Sequence, residues 1–473
     1  MQTIQENLPS QNDINQGNLS QLSLPTQFTS RPVCGKKVKV DFNGGNITND
    51  AGVLLLREID SQTGLIASLS FCLEDSRRSY SIVHTIEEMI AQRIYQIACG
   101  YEDANDSNSL RKDPALKMAL DRLPVEGNDL ASQPTISRLE NQITEEELKK
   151  MRNVFIDQFI SSYAEEPELI VLDFDDTHNT VHGGQQESLF NAYYGEYCFM
   201  PLHVYEGISG KFITAILRPG KRSGGKETVG YLELIVERIR KHWSNTLIVF
   251  RGDGHFSASE LFDYIDAQDN MFSVTGLTGN KRLFEQARRT IQSAENIYEQ
   301  RQRKVKLYHS FYYQAGSWSS LRKVVVKVEM SERGLNVRFI STDMFQAKAR
   351  NLYEDIYCGR GNMELMIKDH KTYTKSDRTS CHSFTANQLR LFFHSAAYVL
   401  LHCLKTQVLK GTELSKATFE TLRLKLLKIG GRVVELKTKI KIHLPNAYPY
   451  KPTIRKCFDI FDHLRRTERI QLC

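Results

Sequence analysis

Residues 169–177 read Leu-Ile-Val-Leu-Asp-Phe-Asp-Asp-Thr. An apolar run that turns acidic at its end predicts a buried strand emerging at a sheet edge. Side chains alternate along a strand, so Asp173 and Asp175 point to the same side. Downstream, 199–205 and 212–217 read as two further strands, and 227–243 as an amphipathic helix. A buried-looking strand over 246–250 ends at Arg251-Gly-Asp-Gly254, followed by a helix over 257–267 and a strand over 271–275. The order strand, strand, strand, helix, strand, helix, strand predicts a mixed α/β sheet with helices on its faces.

This order is the one expected of a ribonuclease-H-like fold, in which a three-strand meander precedes two parallel strands. Residues 276–345 interrupt it with a charged helical piece (281–303) and alternating strands at 304–308, 321–329 and 336–340, read as a separate, mostly β insertion. Residues 347–371 are helical again, and 385–408 form a long apolar helix. Residues 416–443 form a basic amphipathic segment ended by Pro445. Upstream, 37–42 alternate like a short strand before the turn Asn43-Gly44-Gly45, and 52–59 read helical. Ile82, Ile86, Ile90, Ile94 and Ile97 recur at helical spacing, and further helices fit 114–123, 135–141 and 145–163. The helix over 135–141 displays Ser137, Arg138 and Asn141, as the reading helix of a helix-turn-helix would. The same pattern fits the polar face of an ordinary bundle helix. The organisation expected is therefore a Gln-, Asn- and Ser-rich disordered tail (1–35), a mainly helical DNA-binding region (36–165), a first part of the catalytic core (166–275), the insertion (276–345), a second part of the core (346–408) and a basic C-terminal region (409–473).

The 473 residues are 41% hydrophobic and 25% charged, ordinary for a globular protein. No run of 18 apolar residues predicts a membrane span, and no basic patch followed by an apolar run predicts a secretory leader. Nine scattered cysteines without a CxxC pair read as reduced thiols in the cytoplasm. The net charge of +6 is uneven. Residues 405–473 hold 16 lysines and arginines against 6 acidic residues, a net of +10, which leaves the rest of the chain at −4. A basic region on an acidic body suggests a polyanion partner.

Two carboxylates at one sheet edge resist shared ionisation unless a cation compensates them. Mg²⁺ prefers oxygen ligands, and a pair of such ions can activate a nucleophile and stabilise a leaving oxygen at a phosphodiester. On spacing alone, Asp173, Asp175 and Asp253 fit that role and simple capping equally. The segment 357–371 adds Tyr357, Arg360, Glu364 and Lys371 at offsets 0, +3, +7 and +14, one stripe of a regular helix. An acid, two bases and a phenol on one stripe suit DNA phosphates beside a metal. A surface salt-bridge ladder would look the same.

Taken together, these residues resemble the DDE transposases of the insertion-sequence 1380 family, within the broader insertion-sequence 4 group. Tyr357-x2-Arg360-x3-Glu364-x6-Lys371 coincides with the group's Y-x2-R-x3-E-x6-K signature at every position. Asp173-Phe-Asp-Asp-Thr177, His182-Gly-x-Gln185, Leu217-Arg-Pro-Gly220, Arg251-Gly-Asp253 and Trp318 before Arg322 are also similar. So are Asp41-Phe42 and Leu422-Arg-Leu-x-Leu-x-x-Ile-Gly430, so that the resemblance runs from about 36 to 465. It implies a ribonuclease-H-like catalytic domain with a β insertion between the second Asp and the Glu. It also implies Asp175, Asp253 and Glu364 as catalytic and metal-binding triad. A first carboxylate two residues before a Thr selects Asp175 over Asp176, with Asp173 free to assist from the same strand face. The implied cofactor is Mg²⁺, as two ions, with Mn²⁺ as a substitute. The implied partners are double-stranded DNA bearing terminal inverted repeats, target DNA and a second copy of the chain in the DNA complex, with no membrane. The implied reaction is cleavage at the element end by water, then strand transfer by the released 3′-hydroxyl. A hairpin intermediate is what the group resemblance suggests.

Arg138, Lys437, Lys439 and Lys441 are added as DNA contacts on charge and position. Trp318 is a candidate for stacking on a displaced base, with Arg322 on its phosphate, against packing inside the insertion. Tyr193, Tyr194 and Tyr197 read more readily as core than as base-stacking residues. Gly220-Lys-Arg-Ser-Gly-Gly-Lys226-Glu227 nearly spells a phosphate loop, but Glu227 replaces the required Ser/Thr. His178, His182, His255 and Asp176 lack the spacing of a closed zinc set. The alternatives left open are a non-catalytic DNA-binding protein derived from a transposase and a metal-dependent nuclease without strand transfer.

Overall fold

The computed structural model describes residues 27–467. The apolar-to-acidic segment forms strand β1 (Leu169–Asp176). Ile170, Leu172 and Phe174 point into one hydrophobic cluster, whereas Val171 belongs to another on the opposite face. The carboxylates Asp173 and Asp175 share the side of Val171 because the strand alternates. β2 (Leu202–Glu206) and β3 (Phe212–Ile216) complete an antiparallel meander, with Asp175 opposite His203. β4 (Leu247–Gly252) and β5 (Met271–Leu277) run parallel to β1. The strand order β3-β2-β1-β4-β5 is that of the expected ribonuclease-H-like core. Helices Gly225–Arg240 and Ser259–Asp266 cover the face of Leu172 and Phe174. The two parallel crossovers thus leave the carboxylate face to other elements.

The insertion departs from the expected separate lobe. β6 (Val305–Tyr313), β7 (Arg322–Ser331) and β8 (Gly334–Thr342) continue the same sheet, because β8 pairs antiparallel with the outer edge of β5. The result is one eight-stranded sheet, β6-β7-β8-β5-β4-β1-β2-β3. An open edge strand is a template for pairing, and here the chain itself fills it. The helix Lys281–Arg301 covers β6 and β7 over a local core of Leu283, Ala287, Val324, Val326 and Phe339.

The helix Phe384–Cys403 lies against the carboxylate side, buried around almost its whole circumference. Its apolar surface packs on β3 and on helices Ile86–Ala98, Gln133–Gln142 and Glu145–Ser161. The N-terminal helices therefore share one core with the sheet. Two of them start at reciprocal caps, Thr85 with Glu88 and Thr144 with Glu147, which satisfy first-turn amides.

Two expectations at the ends are corrected. Residues 27–33 do not belong to a disordered tail: Gln27–Val33 pairs with Lys36–Asp41 in an exposed hairpin. Residues 1–26 lie outside the described residues. The basic segment 416–443 is not one amphipathic stretch. It holds a short helix, Phe419–Leu422, widened through Arg423–Leu427, and then the hairpin Gly431–Leu436 with Lys439–His443. The alternation Lys-Ile-Lys-Ile-His over 439–443 has the period of a strand, which decides the outcome. No helix among the described residues is long and apolar enough to cross a membrane.

The helix Gln133–Gln142 is fixed by charge as well as by Ile136 and Leu139. The Glu140 carboxylate is fully buried and accepts hydrogen bonds from Arg390 at 2.7 and 2.9 Å, with Arg93 at 3.7 Å. Truncating one member of a buried charge network strands the others without compensation. Glu140→Ala is expected to lower the unfolding free energy by about 3–5 kcal/mol, measured by urea denaturation; a loss under about 1 kcal/mol would show the network to be dispensable.

Candidate nucleic-acid-processing site

Asp173 and Asp175 stand two apart on β1, and β4 brings Arg251 level with Asp173. Asp253 follows β4 by one residue and so emerges beside Asp175 at the same sheet edge. The first carboxylate is taken. Asp173 is wholly buried and grips Arg251 in a two-point ion pair, Nε–Oδ1 2.5 Å and Nη2–Oδ2 2.6 Å. Asp173 therefore braces the site through both of its oxygens. Arg251 also donates to the carbonyl of Ile356 at 2.6 Å, which docks the Glu364-bearing segment onto the sheet.

That segment is not a regular helix. A wide π turn over Leu352–Tyr357, a tight turn over Cys358–Arg360, an α-helix over Gly361–Lys368 and a second π turn over Asp369–Tyr373 follow one another. Such irregular turns concentrate at functional sites because they re-aim side chains. A Cβ on Gly359 would stand 2.6 Å from the Arg251 guanidinium, so this position must stay bare. The expected single stripe is accordingly divided. Arg360 reaches Asp175, Nη2–Oδ2 2.8 Å. Tyr357 is half-buried and lies over Gly276. Lys371 turns to the carbonyl of His178, to which its ammonium donates. Glu364 lies one turn beyond Arg360 and is exposed.

Asp176 and Asp253 are linked by a residue whose role the sequence did not suggest. His255 meets Asp253 through Nδ1 at 2.5 Å and Asp176 through Nε2 at 3.1 Å. Asp176 in turn accepts from Arg218 at 3.0 Å and from the Ser223 hydroxyl and amide at 3.2 Å. Arg218 is clamped by both oxygens of Glu227 at 2.7 and 2.9 Å. Glu227 is the residue that spoils the phosphate-loop pattern, and this is the work it does instead. The only hint in the sequence was the position of His255, two residues after Asp253.

These contacts drive the acids apart. Burial pushes Asp175 up to about 7; Arg360 opposes the rise, and Asp253 and Asp176 add to it. Burial would also raise Asp253, but the hydrogen bond and charge of His255 outweigh it and hold the carboxyl below its ordinary range. For His255 the two carboxylates overcome burial and push the imidazolium up to about 9. Burial lowers Lys371.

The donor chemistry suits a hard divalent cation. Asp175 and Asp253 offer carboxylate oxygens at one edge, and burial disfavours the charge on Asp175 even beside Arg360. Glu364 is not brought to them here, and among the described residues no group of three or more acidic, His or Cys side chains is arranged to hold a metal. His178 is engaged with Glu196 at 2.5 Å, apart from His255.

The remaining expected residues divide into interior and surface. Trp318 is buried edge-on against Phe262 and Tyr313. Arg322 is almost wholly buried, paired with Asp266 at 2.7 Å and Asp343 at 2.9 Å. The assignment of this pair to a displaced base and its phosphate is corrected: two carboxylates and the rings of Phe262 and Tyr313 converge on them and fix them inside. Arg138 is exposed on its helix. Lys437, Lys439 and Lys441 are exposed on the C-terminal hairpin, without an ion pair among the described residues. The other side of that hairpin is held down by Val433 and by Glu435, which accepts from the amides of Val125 and Glu126.

A family model described as transposase DDE domain group 1 matches residues 30–466. No curated protein matches the chain. Among solved structures the chain is similar to a cryo-EM structure of piggyBac transposase in a synaptic complex with hairpin DNA. The identity is 13% and the TM-score 0.40, over 80% of this chain and 80% of that one.

The bridge by His255 has a pH signature. Its pKa is higher folded, about 9, than the ordinary 6.5, so its contribution is complete below about 6.5 and is lost as pH rises through about 9. The stability advantage of the wild type over His255→Gln, followed by thermal melting in chelator, is expected to shrink across that window. A constant difference from pH 6 to pH 10 would remove the charged bridge.

Proposed function

Because the chain belongs to the transposase DDE domain group 1 family, we propose that it is a transposase of the insertion-sequence 1380 type, within the insertion-sequence 4 group. It binds the terminal inverted repeats of its element, cleaves DNA at the element end and transfers the released strand to target DNA. The observation that carries this reading is the placement of Asp175 and Asp253 at one edge of adjacent parallel strands with the Arg360 guanidinium on Asp175. A phosphodiester brought to that edge meets a cation already aimed at it, between two carboxylates of unlike basicity.

Asp175 and Asp253 would hold Mg²⁺, with Mn²⁺ as a substitute and Glu364 closing on the site from one turn beyond Arg360. When bound, two such ions activate the attacking oxygen and stabilise the leaving one. The protein residues do the rest. Arg360 exchanges its hold on Asp175 for a phosphate oxygen of the substrate, and Tyr357 flanks that phosphate. His255 keeps one oxygen of Asp253 engaged and thereby fixes its direction. Asp173 and Arg251 keep the helix and the sheet edge in register. Water is the nucleophile for the first cleavage, and the 3′-hydroxyl it releases is the nucleophile for transfer. A homodimer would bring two ends together, and the enzyme would act in the cytoplasm, on the nucleoid when bound. The helical region that includes Arg138 would read sequence, and the hairpin lysines would neutralise phosphates.

Two tests address this reading. Asp175→Asn, Asp253→Asn and Glu364→Gln are each expected to abolish Mg²⁺-dependent cleavage of an end-bearing duplex while gel-shift affinity stays near wild type. Near-normal cleavage by one variant would take that residue out of the triad. For the hairpin, Lys437→Ala, Lys439→Ala and Lys441→Ala combined should weaken specific and nonspecific binding alike. The log–log salt slope should become shallower by up to about 2.7, at about 0.9 per phosphate contact. An unchanged slope in a folded variant would take the hairpin off the DNA.

A further inference from the structure

Beside the carboxylate edge stands a small three-stranded sheet built from Asn179–Thr180, Leu189–Asn191 and Glu196–Phe199. Phe190 lies directly opposite Tyr197 in the register, so both rings emerge on one face. They meet edge-to-face at 5.6 Å. The turn between the strands carries Tyr193 and Tyr194, whose rings meet at 4.9 Å, and Tyr194 stacks on His178 at 4.0 Å. None of this is core. Phe190 and Tyr197 are each 57% exposed, Tyr194 is 42% exposed and Tyr193 is 81% exposed. His178 bonds Glu196, which faces away from Tyr197, so the turn rings Tyr193 and Tyr194 form one exposed aromatic surface and Phe190 with Tyr197 another on the opposite face. Exposed aromatic surface of this kind marks an interaction site.

What covers it follows from its neighbours. Tyr194 lies within electrostatic reach of Asp175 and Arg222. The loop carrying Lys221, Arg222 and Lys226 is pinned to the aromatic sheet. Asn191 donates to the Gly220 carbonyl at 2.9 Å, and a Cβ on Gly220 would collide with the carbonyls of Cys198 and Leu189. The same loop grips Asp176 through Ser223. Lys221, Arg222 and Lys226 are exposed and make no ion pair among the described residues. Flat rings edged by free cations, next to carboxylates suited to phosphodiester chemistry, match unpaired nucleotides: bases stack on the rings and phosphates meet the cations. A protein partner would not call for a row of unpaired cations along the same rim.

We propose that Tyr193 and Tyr194 form a stacking platform for unpaired nucleotides of the DNA strand adjoining the cleavage site, with Lys221 and Arg222 on the backbone. The platform rests on the reading of this edge as a DNA-cleaving site.

The test is a binding assay on the full-length protein in chelator, where no cleavage occurs. Two duplexes of the same end sequence are compared, one fully paired and one with a short unpaired extension carrying 2-aminopurine. The wild type should bind the unpaired end more tightly and quench the 2-aminopurine. Tyr194→Ala and Tyr193→Ala should each lose roughly 5- to 150-fold on the unpaired end, with little change on the paired duplex. Tyr194→Phe should retain the wild-type preference, because the ring stacks and the hydroxyl does not. Equal binding of both duplexes by the wild type would overturn the platform. So would equal losses on both, or alanine variants that leave DNA binding intact but dissolve a dimer in sedimentation. Cleavage with Mg²⁺ is scored separately: a wild type that never cleaves but keeps the selective Tyr194 effect removes the catalytic reading and leaves the platform standing.

Discussion

The two-point ion pair between Asp173 and Arg251 holds the site together. It joins adjacent parallel strands at their outgoing ends, and the third arm of the guanidinium reaches the Ile356 carbonyl. One buried side chain thereby ties β1, β4 and the Glu364-bearing segment. Burying such a pair is costly, and the cost is offset only when every donor finds an acceptor. Here the planar fork meets a carboxylate on one side and a carbonyl on the other, a geometry lysine cannot supply. The pair also accounts for two bare positions, since a Cβ on Gly207 or Gly359 would run into it.

From that anchor the irregular helix follows. A straight helix through 352–373 would carry Arg360, Glu364 and Lys371 along one stripe. The two π turns instead send Arg360 to Asp175 and Lys371 to the far side of the β1 exit, at the His178 carbonyl. Local helix propensity is indifferent to this choice; the tertiary hold on the Ile356 carbonyl and the lack of a side chain at Gly359 decide it.

This division explains what the sequence could and could not reveal. The apolar strands, their order and the carboxylates at their ends were legible, because alternation and burial leave a direct mark on residue type. The continuation of the sheet through β8 was not, because nothing in an insertion's own pattern names the edge it will pair with. Trp318 and Arg322 misled for the same reason: an aromatic beside an arginine looks like a nucleotide site until Phe262, Asp266 and Asp343 arrive from elsewhere in the chain. Tyr193, Tyr194 and Tyr197 misled in the opposite direction. Their spacing suits a core, but they occupy a short hairpin on which all three rings are exposed.

The most informative departure was the residue that breaks the phosphate-loop pattern. Glu227 binds Arg218, Arg218 binds Asp176, Asp176 meets His255, and His255 meets Asp253. A chain of alternating charges thus runs from the start of the helix Gly225–Arg240 to the second carboxylate of the site. Each link compensates the burial of the next, so the loop 219–224 cannot shift without exposing an uncompensated charge near Asp253. A serine or threonine at 227 would leave Arg218 with one carboxylate and Asp176 with a loosened partner. The loop's basic side chains then face outward because its acidic contacts all face inward, and a sequence that resembles a nucleotide-binding loop becomes a support for the carboxylate edge.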